Sequence, residues 1–285
     1  MQTKGFGSPY LNGVLRLAGC RVLAAAALCV FSPVVPAQWL GFPTPGIPRT
    51  ADGTADLSAP APRTHDGKPD FSGIWFSADT VAEPCPVSGC ITESRMSLLQ
   101  VDLGRGVEGG LPYSDWSRQF VDTREMKDDP HARCMPPNFP RAYTLPQYIE
   151  FVQNDRELVM LHEFNASYRQ IFLDGRPLPD DPNPTWNGYS TGHWEDDTLV
   201  IDTIGIRDDM WLDLQGSPIT SAAHVTERLT RPSFGRLNIE LTVDDPMAYT
   251  RPWTVILEQA IVVDTQLLEE ICLDNEQDVR MFEGQ

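Results

Sequence analysis

From Gln147 onward the chain is a succession of strand-length segments separated by turn residues, and no other feature of the sequence narrows its fold as much. Ile239, Leu241 and Val243 alternate with Asn238, Glu240 and Thr242, the period-two pattern of a sheet with one buried face. Residues 148–153, 158–163, 168–173, 189–194, 199–203, 224–231, 237–243, 253–259 and 267–272 read as strands, with Phe71 to Phe76 as one more ahead of them. Asn154-Asp155, Asp174-Gly175, Glu195-Asp196-Asp197, Phe234-Gly235 and Asp244-Asp245-Pro246 supply the reversals between them. The expected fold is all-β in the main, an antiparallel meander. So many strands hide their edges by curling into a barrel, and a closed barrel of eight or more strands has room for a small ligand.

Two stretches depart from this pattern. Residues 79–147 are irregular: Ser114 is a good N-cap, and Trp116 and Phe120 at i and i+4 suggest one amphipathic helix ending before Asp129-Pro130. Pro136, Pro137, Pro140 and Pro146 keep the following chain extended, and this insertion is expected to lie across the barrel or close its end. Residues 38–65 carry five prolines between Gln38 and Arg63 and little hydrophobic periodicity, which predicts a disordered tether ahead of a single domain over 66–285.

At the N-terminus Lys4, Arg16 and Arg21 precede the apolar run Val22 to Phe31, and Val35-Pro36-Ala37 places small residues where a signal peptidase reads. Residues 1–37 are therefore expected to be a secretory signal cut after Ala37, and the protein to be periplasmic or secreted. Leu17-Ala18-Gly19-Cys20 spells a lipoprotein box but precedes the apolar run. No run reaches the roughly 18 apolar residues of a membrane span. With 40 acidic against 22 basic side chains the net charge is -18, which argues against a nucleic-acid partner.

Cys20 and Cys29 would leave with the signal. Cys85, Cys90, Cys134 and Cys272 remain, an even number in an oxidising compartment, so disulfides are expected. Cys85 and Cys90 enclose a short loop that can close locally, leaving Cys134 to reach Cys272. Zinc is the rival, but Cys272 lacks close thiol or imidazole neighbours in sequence.

Phe71-Ser72-Gly73-Ile74-Trp75 at the head of a β-meander resembles the G-x-W opening of lipocalin-like (calycin-type) barrels, in which that Trp plugs the barrel floor. RQIFLDGRPLP (169–179), PTWNGYSTGHWEDDTLVIDT (184–203), MWLDLQGSP (210–218), HVTERLTRPSFG (224–235) and DDPMAYTRPWTV (244–255) resemble a large family of uncharacterised secreted bacterial proteins. That likeness covers most of residues 66–275 and implies secretion and a β-rich fold, with no catalytic residue to carry over. Asp196 stands where the family pattern usually has Gly. Asp enters left-handed geometry less readily, so a different turn is expected there.

No P-loop or H-E-x-x-H motif is present, and nucleotide-binding, α/β-hydrolase and metalloprotease readings are set aside. Glu227 shares its strand face with Val225 and Leu229 and is expected to point inward. A carboxylate there could act as an acid or base, or could form an internal salt bridge with Arg169 or Arg228. Tyr189, Trp211 and Trp253 could form an aromatic wall, or simply pack. His162 beside Glu163 and His193 near Glu195 are expected at the surface or a strand edge. Asp180-Asp181 and Asp208-Asp209 are expected to be solvated turns rather than calcium loops. Two functions follow. One is a binding protein whose barrel encloses a small apolar or aromatic molecule. The other is a cofactor-independent lyase, isomerase or hydratase in the same cavity, with Glu227 as acid or base, His224 as proton partner and Asp213 or Tyr189 orienting the substrate. Neither needs a metal or cofactor.

Overall fold

A computed structural model of the chain describes residues 43–83, 94–136 and 139–274. In chain order its strands are β1 (Gly73–Ser77), β2 (Thr80–Glu83), β3 (Ser94–Ser97), β4 (Ile149–Gln153), β5 (Glu157–His162), β6 (Tyr168–Phe172), β7 (Tyr189–Glu195), β8 (Thr198–Ile204), β9 (Met210–Trp211), β10 (Pro218–Ile219), β11 (His224–Ser233), β12 (Arg236–Asp244) and β13 (Trp253–Val262). Nine of them close a barrel in the order β1-β13-β12-β11-β8-β7-β6-β5-β4, while β2 pairs with β3 and β9 with β10. Closure is made by β1, which pairs antiparallel with β13 on one side and β4 on the other.

The barrel is mixed rather than a pure meander, because β6 and β7 run parallel. Their connection, residues 173–188, exceeds the dozen or so residues that a parallel crossover needs, and four prolines keep it from pairing as a strand of its own. The segment 267–272 adds no tenth strand; its sheet-like pairing is a single bridge from Glu270 to Phe164. Once β1 has paired with both β4 and β13, no free edge remains for it. Between β7 and β8, Asp196 takes a left-handed φ of 50°, so the turn keeps the geometry that Gly would favour and places Asp in it.

Residues 43–65 are laid against the barrel instead of forming a tether. Thr44 and Asp264 exchange hydrogen bonds at 2.9 Å each, Arg49 pairs with Asp264, and Gly235 and Phe234 donate to the carbonyls of Leu57 and Ala59. The order arises from a repeated hairpin. Arg49-Thr50-Ala51-Asp52-Gly53-Thr54-Ala55-Asp56 recurs as Arg63-Thr64-His65-Asp66-Gly67-Lys68-Pro69-Asp70. In both copies Thr bonds the following Asp, Arg donates to the Gly carbonyl, and Gly takes a positive φ. Local polar geometry thus orders a stretch with too few apolar residues to order itself by burial.

The insertion covers one end of the barrel, where Leu103, Leu111, Phe139 and Tyr143 join the core. Its helix, Asp115–Val121, is capped by the Ser114 side chain, which accepts from Ser117 N at 3.2 Å. It ends well before Asp129, since the Thr123 hydroxyl bonds the Phe120 carbonyl and stops propagation. Trp116 and Phe120 stack on each other and stay exposed, while Ser117 is the buried residue of the helix. The prolines after it do not keep the chain extended throughout, because Arg141–Thr144 makes a 3-10 turn.

Cys134 and Cys272 form a disulfide across 138 residues, tying the insertion to the C-terminal segment; Cys85 and Cys90 lie outside the described residues. Replacing both Cys134 and Cys272 by Ser is expected to lower stability by about 2–5 kcal/mol, since loop-closure entropy is restored to the unfolded chain. Urea unfolding of the double variant beside the wild type measures it, and unchanged midpoints would show that the bridge is energetically idle.

Candidate functional site

The alternation of β11 sends Val225, Glu227, Leu229 and Arg231 inward, and Glu227 is fully buried. Across the wall β6, β7, β8 and β11 lie side by side, so Arg169, inward on β6, spans two strands to reach it. Its Nη1 donates to Glu227 Oε1 at 3.2 Å and its Nη2 to Oε2 at 2.5 Å. Arg169 also donates to Ser190 Oγ on β7 at 3.1 Å and Thr203 Oγ1 on β8 at 2.8 Å, and its guanidinium lies 3.6 Å from the Phe139 ring centre. The Tyr143 hydroxyl donates to Glu227 Oε1 at 2.6 Å, and Gln259 donates to the Tyr143 carbonyl at 3.0 Å.

Burial, and then the Glu227 charge, push the Tyr143 hydroxyl well above its ordinary pKa. For Arg169 burial opposes the charge, but Glu227 and Tyr143 outweigh it and the pKa is raised. This is a closed, mutually satisfied ion pair without exposure to solvent. It holds four strands in register, and both oxygens of its carboxylate are engaged. Around it Leu158, Met160, Ile171, Leu199, Ile201, Leu237, Ile239 and Leu241 fill the barrel.

His224 does not join Glu227. It sits on the outer face, half exposed, with Nε2 2.9 Å from Asp202 Oδ1, because odd spacing along a strand reverses the side. Arg228 shares that outer face and pairs with Glu195 at 2.8 Å. Asp213 lies in the connection between β9 and β10. There it accepts from Leu103 N at 2.9 Å, Ser217 N at 3.0 Å and Ser217 Oγ at 2.8 Å, with burial raising its pKa against those bonds. It pins loops over the barrel end.

The three aromatics form no common wall. Trp211 is buried under Arg124, Trp253 is buried edge-on to Tyr249, and Tyr189 is partly exposed. His193 is at the surface as expected, but His162 is buried on the inner side of β5. Asp209 pairs with Arg207 and Asp208 accepts from Ser221 N, and among the described residues no cluster of three or more His, Cys, Asp or Glu could hold a metal.

Two glycine motifs that the motif reading passes over belong here. Gly188-Tyr189-Ser190-Thr191-Gly192 has G-x-S-x-G spacing, yet Ser190 lies within β7, buried and bonded to Arg169 and Thr203, with no strand-to-helix elbow. Gly104 to Gly109 has G-x-G-x-x-G spacing. It lies in a 3-10 turn over the barrel, where a Cβ on Gly106 would come within 2.4 Å of Val255. Gly104 and Gly106 serve close packing there, while Gly109 takes a positive φ of 78°.

A concave feature that the sequence reading misses lies at one rim of the barrel, where outward residues of the wall meet Arg231 and Ile261 from its inner face. Val262, Ile74 and Glu150 are register partners across β13, β1 and β4 and face outward. Ile74 is nevertheless 8% exposed, because residues 44–47 and 263–267 cover it. Between these segments and the wall is a cleft of about 440 Å³, lined by Pro45, Ile47, Pro62, Ile74, Phe234, Ile261, Val262, Val263 and Leu267 with Glu150 and Arg231. The Arg231 guanidinium donates to the carbonyls of Asp70, Ser72 and Phe234 and lies over Trp75; burial lowers its pKa to about 10. Burial raises that of Glu150, whose carboxylate has no hydrogen-bond or ion-pair partner among the described residues. A sequence signal existed. Alternation breaks at Gly73-Ile74-Trp75-Phe76 and at Ala260-Ile261-Val262-Val263, where both faces are apolar.

Fold and geometry together define a closed mixed barrel with an ion pair sealed inside and an apolar cleft on its outer wall. No family model matches the chain, and a search of curated proteins finds no match.

Removing one member of the buried pair leaves the other uncompensated, so Arg169→Met is expected to cost about 3–5 kcal/mol, whereas Arg169→Met with Glu227→Leu recovers most of it. A double-mutant cycle by urea unfolding decides this, and additive losses would contradict it. Burial pulls the His162 pKa down to about 3 and that of His131 to about 4, so both are neutral in the fold while the unfolded chain protonates them near 6.5. Their contribution is complete above that value and is lost as pH falls toward 4 and then 3, at up to roughly 1.4 kcal/mol per unit for each histidine. Urea midpoints at pH 7.5 and 5.0 test the sign: the lower pH should give the lower midpoint.

Proposed function

We propose that this is a periplasmic or secreted, lipocalin-like binding protein that holds a small apolar or aromatic molecule in the cleft on the outer face of β13, β1 and β4. The observation that carries the reading is that cleft: about 440 Å³, within the range of small-molecule sites, and apolar on most sides. The barrel interior was the expected place for the guest. Packed side chains and the Arg169–Glu227 pair occupy it, and the guest site moves to the wall. The lipocalin-like assignment draws support from Trp75, which is fully buried on the inner face of β1 with its Nε1 bonded to the Phe71 carbonyl at 2.9 Å. Secretion is supported by the signal-like N-terminal sequence and by the Cys134–Cys272 bridge, which persists in oxidising compartments. The acid–base alternative finds less support, because Glu227 and His224 lie on opposite sides of one strand.

Titration with the neutral fluorescent probe N-phenyl-1-naphthylamine is expected to show one saturable site. Val262→Trp, which fills the cleft, and Ile47→Asp, which charges its roof, should each weaken binding about ten-fold or more while leaving the circular dichroism spectrum unchanged. Probe affinity indifferent to both substitutions, or no saturable binding at all, would sink the reading.

A further inference from the structure

We infer that the molecule held in this cleft carries a protonated amine, and that Glu150 is the residue that receives it. The inference rests on the cleft being a binding site and specifies the class of its ligand. Glu150 is register partner to Ile74 on one side and Leu161 on the other, so its carboxylate is set among apolar neighbours rather than at an open corner. No Arg, Lys or His among the described residues pairs with it, although the other half-buried carboxylate at this rim, Asp264, is taken by Arg49 and Thr44. A carboxylate desolvated without a counter-charge is stabilised by any cation that arrives with its own apolar body.

Arg231, the other charged group of the cleft, does not supply that counter-charge. Its Nη atoms are engaged by three backbone carbonyls, its Nε is sealed from solvent, and its guanidinium lies between Trp75 and Phe234. An anionic ligand would find the Nη donors already engaged and the Nε out of reach, and would meet the Glu150 charge. A cationic one completes a charge-assisted hydrogen bond while its apolar part covers Ile74, Val262 and Leu267. The chain's net charge of -18 favours the approach of a cation over long range.

Octylamine, 1-octanol and octanoate share one alkyl chain and differ in head group, and their competition with N-phenyl-1-naphthylamine at neutral pH separates the alternatives. Octylamine is expected to compete about ten-fold or more better than 1-octanol, with octanoate the weakest. Glu150→Gln should bring octylamine down to the level of octanol while moving octanol less than two-fold, and Glu150→Lys should turn the preference toward octanoate. Octylamine no better than octanol, or an amine preference that survives Glu150→Gln, overturns the inference and leaves the cleft as a neutral apolar site. If neither octanol nor octylamine competes, the cleft is not a binding site and the amine assignment falls with it.

Discussion

The structure depends on β1 pairing with both β4 and β13. That double pairing satisfies the backbone donors and acceptors on each side of a strand of five residues and removes the only edges the sheet would have exposed. It also fixes what happens on either side of the wall. Trp75 must point in, and Ile74 must point out. An outward Ile on a fully paired strand leaves apolar surface facing water unless other chain covers it, and covering it is what residues 44–47 and 263–267 do. The cleft follows from closure: two irregular segments laid over a smooth outer wall do not fill the space as interdigitating strands do.

Inside the barrel the arithmetic runs the other way. Arg169 and Glu227 are taken out of water, and the geometry that offsets the desolvation uses every partner nearby: Tyr143, Ser190, Thr203 and the Phe139 face. Such a network specifies register, since a one-residue slip of β6 or β11 would turn a charge outward and leave its mate buried alone. It also leaves no idle donor for a ligand, and a group held this firmly is poorly suited to give up or accept a proton. Interior polarity serves specification here.

The barrel strands were legible from strand-length apolar segments between turn residues, and β11 and β12 also from plain alternation. The inward aim of Glu227 followed from strand parity and the outward aim of His224 was implied by it, whereas the partner of Glu227, Arg169 or Arg228, depended on which strands become neighbours. Tyr143 had no such signal: it reaches the barrel from a 3-10 turn in the irregular insertion, and only tertiary packing places it. Parallel pairing of β6 and β7 was hidden because strand direction depends on where a proline-rich connection leads, not on the strands' own residues. Residues 43–65 misled for another reason. Low hydrophobicity was taken as disorder, whereas the twice-written Arg-Thr-x-Asp-Gly hairpin stores its order in side-chain-to-backbone bonds that a hydropathy pattern does not register.

Those two hairpins also determine how the roof of the cleft is held. Each copy folds on itself and then uses its Arg to grip an acidic residue, Arg49 on Asp264 in the other covering segment and Arg63 on Asp197 in the turn between β7 and β8. Both grips lie at the surface, where water and salt screen them, and each contributes little compared with the buried Arg169–Glu227 pair. Backbone bonds from Phe234 and Gly235 to the carbonyls of Ala59 and Leu57 add to these pairs, so residues 43–65 are tied to the barrel by more than exposed charges.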